Sequence, residues 1–150
     1  MKRILLIGFG NPGRLDDGLG PALAEHFQTL ELPSVTVESN YQLNVEDAAQ
    51  IAEYDTVVFA DASTEAEPPF TFTPVAAAQG GLSFSSHSVS APQLLGMVKE
   101  LFHAEPAAWM IAIRGIEFNE FGEVLSEQAT RNLKAAVDFL SKWIREENHG

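Results

Sequence analysis

The chain of 150 residues contains no cysteine. That excludes disulfides, thiolate-based metal sites and cysteine nucleophiles. Cations are scarce: 9 Lys and Arg stand against 21 Asp and Glu, a net charge of −12. Nucleic-acid binding depends on clustered cations, so this balance argues against it, and equally against anionic membrane surfaces. Long apolar runs are missing as well; none approaches the ~18 residues of a membrane span. The apolar stretch after Lys2 and Arg3 faintly mimics a signal peptide. It stops at a Gly-Asn turn with no small-residue cleavage site behind it, so the cytoplasm is the expected location.

What is present is the balance of a soluble globular protein, with 45% hydrophobic and 20% charged residues. The length suits a single domain, 1–150, with one real core. Arg3–Phe9 and Thr56–Ala60 are continuous apolar runs, as expected of strands buried on both faces, and Ala108–Ile113 is a third. Val35–Glu38 alternates and reads as another strand, and Phe70–Thr73 as an edge strand within the proline-containing stretch 63–81. Ser83–Ser86 is a short strand or loop leading to His87. Helical spacing marks Gly18–Leu30, a short segment capped by Asn44, a helix opened by the Ser90–Gln93 capping box, and a final helix capped by Ser126. Leu94, Leu95, Val98, Leu101 and Phe102 are expected on one apolar face of the third of these. Residues 146–150 should fray. Strands alternating with helices predict an α/β fold: one three-layer α/β/α domain, a twisted, mostly parallel sheet of about five strands with helices on both faces.

The stretch GFGNPGRLDDGLGP, residues 8–21, is the most informative part of the chain. A strand ends, a glycine-rich turn follows, and Asp16 and Asp17 stand at the mouth of the next helix. Open α/β sheets bind ligands beyond the carboxyl ends of their strands. Two acids there invite a metal ion or a proton-transfer role, and they oppose the phosphate that a helix N-terminus would otherwise attract. The G-x-G-x-x-G spacing is a weak dinucleotide signal, because Pro12 stands at the helix start and the acids follow. If the sheet is parallel, Asp17, Asp61 at the end of TVVFA, and His87 all face one rim. Carboxylate and imidazole together suit a divalent ion such as Zn, Ni, Fe or Mn. Each residue has a plainer role open to it. Asp16 is expected to cap the first helix and point away, Asp17 could complement the helix dipole, Asp61 could form a turn, and His87 could be a solvated loop histidine. His26 and His103 read as structural or surface residues. No G-x-S-x-G elbow accompanies the serines around His87, which argues against a serine hydrolase.

These motifs resemble the hydrogenase maturation endopeptidases. GFGNPGRLDDGLGP is similar to that family's N-terminal signature, a Gly-Asn turn followed by D-[DE]-G-x-G. VVFADAS, SSHSVS, YQLN at 41–44, IRGIEF at 113–118 and GEVLS at 122–126 are similar to further family elements in the same order. The resemblance implies a peptidase that removes the C-terminal extension from the large-subunit precursor of a nickel–iron hydrogenase. Asp17, Asp61 and His87 would be both its metal-binding and its catalytic residues, and Asn11 and Gln42 are assigned to substrate binding. It further implies that nickel carried by the precursor is the recognition element, with no organic cofactor, and a monomer is expected. The metal could polarise the scissile carbonyl, activate water, or only anchor the substrate; the sequence leaves these open. Two other readings stand beside this one. An acidic metal-binding chaperone or regulator could use the same fold. GNPG also resembles the start of peptidyl-tRNA hydrolase, but no histidine follows where that family carries its catalytic one, and the acidity opposes RNA.

Overall fold

The structure is a computed structural model and describes residues 2–78 and 89–149. Strand β1, Ile4–Phe9, lies inside a five-stranded sheet whose order is β2-β1-β3-β5-β4. Its neighbours are β2, Val35–Asn40, and β3, Thr56–Ser63, both parallel to it. β3 pairs in parallel with β5, Ala107–Arg114, which places Asp61 opposite Ala112 and Ser63 opposite Arg114. The edge strand β4, Phe70–Pro74, runs antiparallel to β5.

Ile4, Leu5, Leu6 and Ile7 are all buried, as are Val57, Val58 and Phe59, because helices cover both faces of the sheet. Helices α1, Leu19–Leu30, and α4, Glu127–His149, cover one face and enclose Leu6, Leu23, Phe27, Val58, Ile111 and Leu140. Helices α2, Asp47–Ile51, and α3, Ala91–Phe102, cover the other, around Leu5, Ile7, Ile51, Phe59 and Leu94. The predicted three-layer α/β/α architecture is therefore the observed one. β1 leads to β2 on one side and, through α2, the chain enters β3 on the other. That change of direction opens a crevice beyond the carboxyl ends of β1 and β3.

Several local expectations are corrected. The first helix begins with a 3₁₀ turn, Leu15–Gly18, so its regular part starts at Leu19. Neither segment is capped by a side chain, so Asp16 does not cap helix α1. Asn44 does not cap α2 with its side chain either; instead, the Asp47 carboxylate accepts from the Asn44 N–H at 2.9 Å. β3 runs on to Ser63, which puts Asp61 inside the strand. In α3 the capping box of Ser90 and Gln93 is present, but Leu101 and Phe102, in its last turn, are about half exposed. α4 runs as helix through Glu146 and Glu147 to His149, and Asn148 Nδ2 donates to Ser34 Oγ at 2.7 Å. Ser126 caps α4 as expected, its Oγ accepting from Ala129 N.

Candidate functional site

The site is built from the turn that ends β1. Gly10 has φ +141, a conformation open to glycine, and this swings the chain away from the sheet. Asn11 then closes a local turn: its Oδ1 accepts from Gly13 N at 2.8 Å. The 3₁₀ turn that follows folds back over it, so that Asp17 Oδ2 accepts from Asn11 N at 2.8 Å. Gly20 allows α1 to sit directly on the strands. A Cβ there would stand 2.5 Å from both the Ala60 and Phe9 carbonyl oxygens. Asp17 is thereby held above the ends of β1 and β3.

Asp61 occupies the same rim from β3. Its Oδ1 accepts from Ala62 N at 2.9 Å. Burial pushes its carboxyl up to about 7; the Ala62 N–H partly opposes this, and the negative charge of Asp17 adds to it. The two carboxylates are thus close enough to repel. Each has one oxygen held by a backbone N–H, and neither makes a hydrogen bond through its other oxygen among the described residues. A cation between them would relieve both the burial and the repulsion, so the donor set fits a divalent metal. His87, the third expected ligand, lies outside the described residues, as does the expected Ser83–Ser86 element. The nearest described residue on its C-terminal side, Val89, donates its N–H to Leu43 O. The chain entering α3 is therefore beside the segment 41–44.

Of the two expected substrate-binding residues, Asn11 spends its Oδ1 on the turn. Gln42 is exposed, and among the described residues its side chain donates to Asn44 Oδ1. A cavity of about 300 Å³, lined by Gly10, Pro12, Pro21, Ser39, Asn40 and Tyr41, opens beside the glycine turn at the ends of β1 and β2. A larger one, about 840 Å³, lies near the start of β5 against the end of α3, at the opposite rim from the carboxylate pair.

Asp16 has a role that its neighbours in sequence do not announce. It is fully buried, and its carboxylate accepts from Ile116 N at 2.7 Å, Glu117 N at 2.9 Å, Ser126 N at 2.7 Å and Ser126 Oγ at 2.7 Å. Burial alone would raise its pKa, but these hydrogen bonds together outweigh it and hold the carboxyl below its ordinary value. The segment 115–126, which links β5 to α4, is thus clamped to the turn that carries Asp17. Leu15 N donates to Gly122 O, and Gly122 N to Gly13 O, both at 2.8 Å. Leu15 takes a left-handed φ of 50 to make this possible. The presence of IRGIEF and GEVLS as separate short motifs was the only sequence signal for this segment.

No protein-family model matches the chain, and no curated protein matches it. Solved structures do. HycI, a [NiFe] hydrogenase maturation protease from Thermococcus kodakarensis KOD1, is 22% identical, with a TM-score of 0.70 over 94% of this chain and 91% of that one. The hydrogenase maturating endopeptidase HybD from E. coli is 16% identical, with a TM-score of 0.72 over 97% and 93%. A hydrogenase 2 maturation peptidase from Thaumarchaeota archaeon SCGC_AB-539-E09 is 20% identical, with a TM-score of 0.67 over 95% and 98%. The chain has the fold of these maturation proteases along nearly its whole length.

Proposed function

We propose that this protein is a hydrogenase maturation endopeptidase. It removes the C-terminal extension of a nickel–iron hydrogenase large-subunit precursor, acting as a monomer in the cytoplasm. The observation that carries the reading is the Asp17–Asp61 carboxylate pair at the point where the strand order reverses, on a fold shared with proteins named as maturation proteases. Asp17, Asp61 and His87 receive the nickel that the precursor brings. Carboxylate oxygen and imidazole suit such an ion, but without a thiolate they hold it weakly, so the precursor's own ligands supply much of the affinity. Asp17 and Asp61 repel each other until a cation arrives. A precursor without nickel therefore meets a site that gains nothing from its approach, and cleavage waits for metal insertion. Asn11, through its amide nitrogen, and Gln42 flank the bound chain.

The test is to incubate metal-stripped protein with precursor in the nickel-loaded and nickel-free states. One C-terminal cut in the loaded precursor alone is expected. Efficient cleavage of the nickel-free precursor would contradict the reading. So would activity restored by loading zinc onto the protein by itself. Binding of the loaded precursor without any cut would mark a metal-handling chaperone instead.

A further inference from the structure

Residues 115–126 combine three properties. They present bulky apolar side chains to solvent: Ile116 is 53%, Phe121 87% and Val124 76% exposed. Together these expose on the order of 300 Å² of apolar surface, comparable to the largest apolar patch of an ordinary monomer, which is often functional. The segment is nevertheless fixed in place. Its two ends are held by the buried Asp16 carboxylate and its middle by the paired hydrogen bonds between Gly122 and residues 13–15. The Arg14 guanidinium also lies over the Phe121 ring, 5.8 Å from its centre. Finally, residues 115–127 carry Glu117, Glu120, Glu123 and Glu127 and not one Lys or Arg. Phe121 at this exposure contributes almost nothing to the core, yet a buried charge is used to hold its loop still. Ordering a loop in advance lowers the cost of binding.

The loop also borders the carboxylate pair. It begins at Gly115, whose N–H donates to Ser63 O, two residues beyond Asp61. Its centre is bound to the turn that leads to Asp17. We propose that this loop is the docking surface for a cationic segment of the protein substrate, one with apolar side chains among its lysines or arginines. The proposal rests on the endopeptidase reading, since it supplies the contact that lays the substrate beside the bond to be cut. A second copy of this chain is a poor occupant. Each copy carries a charge of −12 and the same four glutamates, so two such faces repel. A cationic partner instead gains attraction on approach and covers the apolar side chains on contact.

The test uses the full chain and reads binding separately from cleavage. A short labelled peptide rich in lysine and leucine, and its glutamate-for-lysine counterpart, are titrated against wild type, the double variant Phe121→Ser/Val124→Ser, and Glu120→Lys/Glu123→Lys. Wild type should bind the lysine peptide, more weakly as salt rises, with amide NMR shifts centred on 116–124. The serine variant should lose at least about tenfold in affinity, and the lysine variant should reverse the peptide preference. With the nickel-loaded precursor, the serine variant should raise KM by about tenfold and leave kcat within about twofold. Cleavage by wild type with an unchanged KM in the serine variant would overturn the docking surface and leave the endopeptidase reading intact. A precursor that is never cut, while the lysine peptide still maps to the loop, would overturn the endopeptidase reading and with it the substrate named here. Shifts elsewhere on the protein, or a wild-type dimer in sedimentation that Phe121→Ser dissolves, would overturn the proposal.

Discussion

Replacing Asp16 with alanine tests the internal logic of the site more sharply than any change to Asp17. The substitution removes one buried carboxylate and leaves four donors without their acceptor: the N–H groups of Ile116, Glu117 and Ser126, and the Ser126 hydroxyl. A buried donor left unpaired costs about 1–3 kcal/mol. Ile116 and Glu117 are themselves exposed, so only one layer of chain covers Asp16 and water can reach part of the gap. The low end of the range therefore applies, and four donors at about 1 kcal/mol each give a loss of about 4 kcal/mol. That is a large share of the 5–15 kcal/mol, roughly, that holds a domain of this size together. Asp16→Asn keeps one acceptor oxygen but turns an amide NH₂ toward N–H groups, and should lose about 2 kcal/mol. Urea titration at pH 7 measures both variants, and chymotrypsin, cutting at Phe118 and Phe121, reports on the loop itself. The folded carboxyl lies below the ordinary 3.8, so the stabilisation is complete above that value and disappears as pH falls through the folded pKa. The difference between wild type and Asp16→Asn should therefore persist above pH 3.8 and shrink as pH falls through the folded pKa below it. An Asp16→Ala protein within about 0.5 kcal/mol of wild type at pH 7, with its loop still protected from chymotrypsin, would refute the reasoning.

Three further outcomes are expected. Asp17→Ala and His87→Ala should abolish precursor processing in protein that remains folded at pH 7, Asp17→Ala losing about 1 kcal/mol in urea because the Asn11 N–H loses its acceptor, and loss of activity only through unfolding would remove the assignment. Asp61 titrates near 7 in the folded chain and near 3.8 when unfolded, so the native form binds the extra proton between those values and stability falls as pH rises from 4 to 7. In chelator, Asp61→Asn should abolish that fall and gain about 2–4 kcal/mol over wild type at pH 8 relative to pH 4, and parallel pH profiles would contradict this. Gly20→Ala should cost about 3 kcal/mol or more by thermal melting, because its Cβ would press on two backbone carbonyls that cannot move independently of the sheet; an unchanged melting temperature would count against the packing described.

Much of the architecture was legible from local pattern. Ile4–Ile7 and Val57–Phe59 read as doubly buried strands because parallel strands under two helical layers have no polar face to show. The Ser90–Gln93 box and Ser126 marked helix starts because capping is satisfied within three or four residues. Asp17 and Asp61 were legible as rim residues for the same reason: each follows or ends an apolar run whose direction a parallel sheet dictates. Tertiary structure alone decided how close they stand, since a charge felt between residues 17 and 61 depends on β1 and β3 being neighbours in the sheet order. It also decided the antiparallel placement of β4, and the helical course of residues 146–149, which is supported by Ser34 far away in sequence. Asp16 shows the boundary most clearly. To local pattern, an acid before a helix is a cap, because a cap needs a carboxylate that accepts backbone N–H bonds. Asp16 accepts such bonds, but from residues 100 to 110 positions away. The chemistry of the residue was written in the sequence; its partners were not, because a segment without helical or strand periodicity carries no sign of where the folded chain will bring it.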